Sequence, residues 1–276
     1  MKTLYITDLD GTFLNDDAQV SPASARIVSD LSARGALISV ATARTPATVE
    51  PLLAGTVTAP QLVVMTGATI WNRDTQTFID PILLPEADVR VIEDCMERRG
   101  FFLFGYVMTA SGHLHVYHPR EGLSQDERRF VELRRNLKLK TFHIGHPLPR
   151  EDYGRTALFF GMGSKEEIVG LADELKSRIG CYVSYYKDTY TPDLWLLEVF
   201  ASGVSKAAGI RRLKEYLGAD RVVVFGDNLN DIPMMEAADL AVAVGNALPE
   251  TKAAADIVIG DNNSDSVACW IEQDYM

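Results

Sequence analysis

Cysteine is scarce in this 276-residue chain: Cys95, Cys181 and Cys269 stand far apart and are odd in number. That excludes a disulfide framework and any zinc-type spacing, and it fits a reducing compartment. Positive charge is short as well. Lys and Arg total 27 against 38 Asp and Glu, a formal net charge of -11, so no basic stripe suited to nucleic acid is expected. Long apolar runs are missing too. The longest uncharged stretch, from Pro51 to Asn72, holds Pro60, Gln61 and four threonines, and does not read as a membrane span. Asp8 arrives too early for a secretory apolar segment. With 47% hydrophobic and 24% charged residues, what remains is a globular, cytoplasmic protein of one large or two ordinary domains. Partners from nucleic acid or membrane are not expected, and a monomer or small homo-oligomer is.

Against this background one stretch stands out, Tyr5-Ile6-Thr7-Asp8-Leu9-Asp10-Gly11-Thr12. Lys2 to Thr7 is a short β-rich run, and Asp8 and Asp10, two apart, point the same way in an extended segment. At ~4 Å and an effective dielectric of ~20, two such carboxylates repel by about 4 kcal/mol. A bound cation between them, or a proton kept on one of them for acid–base work, relieves that cost. Gly11 permits a tight turn after the second Asp. A plain polar turn after a strand is the competing reading.

Along the chain, Ser21 is the expected N-cap of a helix with Pro22 at N1 and Gly35 just past its end. Ala36 to Ala41 and Gln61 to Met65 read as buried strands separated by a helix from Thr45-Pro46. A hairpin is expected at Ala68 to Asn72 against Thr77 to Asp80. Such alternation argues for a parallel sheet with crossover helices. Near Leu83 the pattern changes: a helix from about Glu86 to Arg99, strands at Phe101 to Val107 and His113 to His118, and a charged helix near Ser124 to Leu137. Then come a strand from Arg155, a capping box at Ser164 and Glu167, and strands at Cys181 to Tyr186 and Leu194 to Phe200. The α/β rhythm returns at Ser205, with a helix to Leu217 and a buried strand, Arg221 to Phe225, feeding Gly226-Asp227-Asn228-Leu229-Asn230-Asp231. Short final strands close the chain at Leu240 to Val244 and Ile257 to Ile259. The fold class is therefore α/β: a parallel-sheet core of residues 1–82 and 192–276, with an α+β unit, 83–191, inserted into it.

Four loops follow or adjoin apolar strands, and ligands in open parallel sheets gather beyond the strands' carboxyl ends. They supply Asp8 and Asp10; Thr42; Lys206; and Asp227, Asn230 and Asp231. Taken singly, Thr42 is an ordinary β-branched strand end and Lys206 a solvated helix residue. A cation in the first turn of a helix opposes the macrodipole, however, and calls for a nearby anion. It is the set, in this order, that carries the signal.

That set, Asp8-Leu9-Asp10-Gly11-Thr12, Thr42, Lys206 and Gly226-Asp227-Asn228-x-Asn230-Asp231, resembles the haloacid dehalogenase superfamily, and more closely the Cof-type sugar phosphatases. The resemblance extends over nearly the whole chain, including the place of the insertion and Gly245-Asn246. It implies a Rossmann-like core, an α/β cap that chooses the substrate, Mg²⁺, and hydrolysis of small phosphate monoesters such as hexose phosphates. By that resemblance Asp8 is the nucleophile that forms an aspartyl-phosphate, and Asp10 is the acid and base. Mg²⁺ binds Asp8, the carbonyl of Asp10, and Asp227. Thr42, Lys206 and Asn230 hold the phosphoryl oxygens, and Asp231 stands behind the metal or Lys206. The sequence departs from the family pattern twice. Ala43 follows Thr42 where Gly is usual, which narrows the approach of a phosphate, and Thr66-Gly67-Ala68 replaces a common Asn-Gly-Ala.

Two rival functions share these motifs, a phosphosugar mutase and a non-catalytic phosphometabolite-binding protein. Retention of both Asp8 and Asp10 argues against the second. The five histidines, His113, His115, His118, His143 and His146, lie in the inserted unit. His113 and His115 share a strand face, but no carboxylate or Cys spacing completes a metal site, so packing or surface roles are expected.

Overall fold

The computed structural model describes residues 1–188, 191 and 193–276. The chain divides into two compact units, Met1–Asp80 with Ser205–Met276, and Pro81–Val204. In the first stretch the elements are β1 (Thr3–Thr7), α1 (Pro22–Ala33), β2 (Leu37–Val40), α2 (Pro46–Leu52), β3 (Gln61–Val64), β4 (Thr69–Asn72) and β5 (Thr77–Ile79). The insert carries α3 (Glu86–Arg99), β6 (Phe104–Met108), β7 (Leu114–His118), α4 (Gln125–Glu132), β8 (Lys140–Ile144), β9 (Thr156–Gly163), α5 (Lys165–Arg178), β10 (Tyr182–Lys187) and β11 (Trp195–Phe200). The chain closes with α6 (Lys206–Leu217), β12 (Arg221–Gly226), α7 (Ile232–Glu236), β13 (Leu240–Ala243), α8 (Pro249–Ala254), β14 (Ile257–Val258) and α9 (Ser266–Tyr275). No described helix is long and apolar enough to cross a membrane.

The first unit is built on a parallel sheet in the order β14-β13-β12-β1-β2. A parallel bridge from Ala41 to Val63 sets β3 next to β2, and β3, β4 and β5 continue as antiparallel neighbours. Leu4, Ile6, Val223, Val224 and Phe225 are fully or almost fully buried, as the near-continuous apolar strands of a two-sided parallel sheet require. The register fixes where the loops emerge. Thr7 lies opposite both Phe225 and Val40, so β1, β12 and β2 end together and residues 8–12, 41–45 and 226–231 leave the sheet on one side. The helix α1 begins as its sequence demands: the Ser21 side chain accepts a hydrogen bond from the Ser24 amide, and Pro22 occupies the first turn.

The inserted unit is a six-stranded sheet, β10-β11-β9-β6-β7-β8. It is antiparallel except for the β7–β8 pair, which is parallel. Helices α3 and α5 pack on each other, and α5 lies against β9, β10 and β11. Two capping boxes, Ser124 with Glu127 and Ser164 with Glu167, start α4 and α5.

One boundary needs correction. Residue 192, where the core was expected to resume, lies outside the described residues. The strand after it, β11, pairs on one side with β10 and on the other with β9. The chain therefore crosses back only between Val204 and Ser205. The apolar run in β11 resembles a core strand, but its hydrogen-bond partners are those of the insert. The charged helix α4 also stops at Glu132 rather than Leu137.

Candidate active site

Three strand ends and one helix start build the site. Asp8 follows β1, and its amide donates to the Phe225 carbonyl at 2.9 Å, which ties the Asp8 turn to the end of β12. Gly11 has a φ of +74°, and a Cβ there would meet Asp227 Oδ2 at 2.5 Å. The turn thus needs glycine twice over, for its left-handed backbone and for the closeness of the second carboxylate. Thr12 Oγ1 donates to Asp227 Oδ1 at 2.8 Å, and Asn246 Nδ2 donates to the Gly11 carbonyl at 2.7 Å.

Helix α6 is brought in by glycine contacts. A Cβ on Gly67 would lie 2.1 Å from the Ser205 carbonyl oxygen, and one on Gly209 would lie 2.4 Å from Val63 Cγ1. This close approach delivers Lys206, in the first turn of α6, to the strand ends. Its Nζ lies 2.8 Å from Asp8 Oδ1 and 2.7 Å from Asp231 Oδ1. The other Asp231 oxygen accepts from the amides of Asp227 and Asn228, at 3.0 and 3.1 Å. The cation in a helix's first turn therefore has its anions, two of them, and all three side chains are buried.

The electrostatics follow from that burial. Loss of solvent pushes Asp8 up to about 7, against the pull of the Lys206 ammonium, and Asp231 adds to the rise. Asp227 is pushed up to about 6, again chiefly by burial, with the Thr12 hydrogen bond opposing and Asp231 reinforcing the shift. Burial alone would lower Lys206, but Asp8 and Asp231 outweigh it and hold the ammonium charged above its ordinary range. Carboxylates raised this way are poised to accept a cation, which would restore their ionised forms.

Ligand-atom geometry fits a hard divalent ion. Carboxylate oxygens of Asp8, Asp227 and Asp231 lie within 4.8 Å of one another, an all-oxygen set of the kind Mg²⁺ takes. Both Asp231 oxygens are already engaged, one by Lys206 and one by backbone amides, which leaves Asp8 and Asp227 as the nearer candidates for direct ligation. The acidic cluster is where such an ion would sit.

Asp10 behaves differently from its neighbour. Its two oxygens accept from Arg44, Nε to Oδ2 at 2.7 Å and Nη2 to Oδ1 at 2.5 Å, and its side chain is 52% exposed. Arg44 was not singled out from the sequence, although it stands two residues after Thr42 in the same strand-end turn. Thr42 itself is buried, and its Oγ1 accepts from the Arg44 amide at 3.2 Å. It lies just past β2 and four residues before α2 starts at Pro46. Ala43 is exposed and is not among the residues of positive φ, so alanine fits that backbone without strain. Thr66 does carry strain: a β-branched residue at φ +58° whose buried Oγ1 makes no hydrogen bond. Asparagine tolerates that conformation better. Asn230 is exposed beside the cluster.

With this geometry in hand the relatives can be placed. The haloacid dehalogenase-like hydrolase family matches residues 5–271, and the chain belongs to that family. The 5-amino-6-(5-phospho-D-ribitylamino)uracil phosphatase YitU of Bacillus subtilis is 24% identical over 276 residues, 98% of this chain and 96% of its own. The pyridoxal phosphate phosphatase YbhA of Escherichia coli is 47% identical over a shorter span of 77 residues, 27% of this chain and 28% of its own. Among solved structures, the HAD subclass IIB sugar phosphatase BT4131 superposes with a TM-score of 0.71 at 19% identity, covering 100% of both chains. At that identity the likeness speaks for the fold alone. The protein is a phosphoric monoester hydrolase of the haloacid dehalogenase superfamily.

Proposed function

We propose that the protein hydrolyses small phosphate monoesters, hexose or other sugar phosphates among them, with Mg²⁺ and through an aspartyl-phosphate on Asp8. The observation that carries this reading is the Asp8 carboxylate: buried at a strand end, one oxygen held 2.8 Å from Lys206 Nζ, with Asp227 alongside. Pinning one oxygen leaves the other to attack phosphorus in line, and the substrate alkoxide leaves with a proton from Asp10. Asp10 then takes a proton from the water that cleaves the acyl-phosphate bond, which returns Asp8 to its carboxylate. Both Asp10 oxygens accept from Arg44 in the resting protein, so Asp10 turns off the guanidinium before it carries a proton. Thr42, Lys206 and Asn230 contact the phosphoryl oxygens, and Asp231 positions Lys206.

In this reading Mg²⁺ is held by Asp8, the carbonyl of Asp10, and Asp227, and it supplies neutralisation of the phosphate charge. The inserted unit chooses the organic part of the substrate, and the three free cysteines support a reducing, cytoplasmic setting. Phosphate release should be measured with Mg²⁺ over a panel of phosphorylated metabolites, followed by mass analysis of acid-quenched enzyme. Burst labelling of a peptide containing Asp8 supports the mechanism. Turnover with no acid-stable, hydroxylamine-sensitive phosphoryl group on that peptide overturns it.

A further inference from the structure

A phosphate dianion entering this site meets Asp8, Asp10, Asp227 and Asp231, and Lys206 is already divided between two of them. Its Nζ lies 2.8 Å from Asp8 and 2.7 Å from Asp231. A second cation stands in the same group of strand-end turns. The Arg44 amide donates to Thr42 Oγ1 at 3.2 Å, and the Arg44 carbonyl accepts from the Met65 amide at 2.9 Å. Both polar groups of its backbone are thus held, one of them by the hydroxyl expected to contact phosphate. The guanidinium is turned onto Asp10, with Nε on Oδ2 at 2.7 Å and Nη2 on Oδ1 at 2.5 Å.

That two-pronged grip is the geometry in which a guanidinium also takes phosphate. Asp10 offers it one negative charge, and a phosphate monoester offers two. The pair is open to water, with the Arg44 side chain 29% and the Asp10 side chain 52% exposed, and pairs of this kind part at little cost. Lys206, buried between two carboxylates, has no such freedom.

We propose that Arg44 is a second phosphate-binding cation, and that Asp10 occupies its guanidinium in the resting protein as a stand-in for the substrate phosphate. An arriving phosphoryl group takes the guanidinium, and Asp10 leaves it. Asp10 is then free to serve the leaving group only when a phosphate is in place. Arg44 positions Asp10 before binding and the phosphoryl group after it. The inference rests on the functional reading above for the place of the phosphate, and adds to it a residue and an order of events. Two anions that compete for one guanidinium must weaken each other's binding, so Asp10 acts against phosphate through Arg44.

The test reads equilibrium binding of inorganic phosphate, by calorimetry, to the full chain saturated with Mg²⁺. Wild type, Arg44→Ala, Arg44→Lys, Asp10→Ala and the double variant are compared, and loss of a half-exposed pair leaves the fold intact. Arg44→Ala should bind phosphate about tenfold or more weakly. Arg44→Lys, which keeps the charge and loses the fork, should fall between that variant and wild type. Asp10→Ala should bind about threefold or more tightly than wild type, and this gain should disappear in the Arg44→Ala background. A residue that only braces the turn would not produce a gain that depends on its neighbour. Equal affinity in wild type and Arg44→Ala overturns the proposal, as does a wild type that binds no phosphate. So does a gain from Asp10→Ala that persists undiminished without Arg44, because removal of one nearby negative charge then explains it. A wild type that shows the expected pattern but hydrolyses no monoester sinks the functional reading and leaves the role of Arg44 standing.

Discussion

Among the described residues two lysines are buried, one in each unit, and their surroundings are opposite. Lys206, 3% exposed, sits between Asp8 and Asp231 and is held charged. Lys140, 4% exposed on β8, faces the rings of Tyr106 and Phe142 at 5.2 and 5.8 Å. Burial lowers it to about 7, and the Arg134 guanidinium adds to the fall. No described carboxylate is ion-paired with it. A buried cation with two anions can do chemistry on a third, the substrate phosphate. One packed among aromatic rings has no such use and costs stability in its charged form. The first unit thus collects compensated charge at its strand ends, and the insert tolerates an uncompensated one inside its sheet.

The sharpest way to break the compensated side is at Asp8. Asp8→Asn keeps size and hydrogen-bonding reach, and Asp231 still pairs with Lys206, so the fold should survive. Its amide is a poor nucleophile, and turnover should fall by about 10³-fold or more. Phosphate release with a saturating substrate measures this, and activity within tenfold of wild type would remove Asp8 from the covalent role.

Lys206→Met attacks the same cluster from the cationic side. Asp8 and Asp231 are then left buried near each other with no cation, a change that costs about 3–5 kcal/mol when one partner of a buried pair is removed. Urea unfolding in EDTA should show that loss, and turnover with Mg²⁺ should fall by about 10²-fold. An unfolding midpoint equal to wild type would mean that the three charges do not act as one unit.

Asp10 separates the value of an ion pair for stability from its value for catalysis. Its pair with Arg44 is half-exposed, and exposed pairs contribute ~0–1 kcal/mol. Asp10→Ala should therefore leave stability nearly unchanged while lowering turnover of alkyl phosphates by about 10²-fold. An aryl phosphate, whose leaving group needs little protonation, should lose less in single-turnover phosphorylation. Equal losses for both substrates would take the acid role away from Asp10.

The contrast between the units also marks what could be read without a structure. The parallel core was legible because each of its elements carries local punctuation: Ser21-Pro22 and Gly35 around α1, Ser205 before α6, and largely apolar runs at β1 and β12. The candidate site was legible because its residues sit directly after those runs. What escaped depends on partners distant in sequence. Strand β8, with Lys140, Thr141 and His143 in a five-residue run, is not singled out by the sequence, since only its pairing with β7 and the burial of Lys140 make it a strand. Assignment of β11 to the core failed for a similar reason: its composition suits either sheet, and only register decides. The grip of Arg44 on Asp10 spans 34 positions, and no local pattern announces it.

The smallest effect tests the uncompensated side directly. Lys140→Met replaces a buried amine by an apolar chain of similar length beside Tyr106 and Phe142. Exchanging buried charge for packed apolar side chains is often stabilising, and because the two rings already return part of the cost, the gain near neutral pH should be about 1–2 kcal/mol. The pH dependence gives the sign. Lys140 titrates near 7 when folded and near ~10.4 when unfolded, so between those values the unfolded chain binds more protons. Stability then rises with pH across that window. Wild type should gain on the variant from pH 7 to 10 as the amine loses its proton in the unfolded state too, and the gap between them should close or change sign. Thermal melts of both proteins at matched ionic strength measure this. A gap that is constant or widens with pH would show that Lys140 is charged in the folded protein throughout, and that the insert compensates it after all.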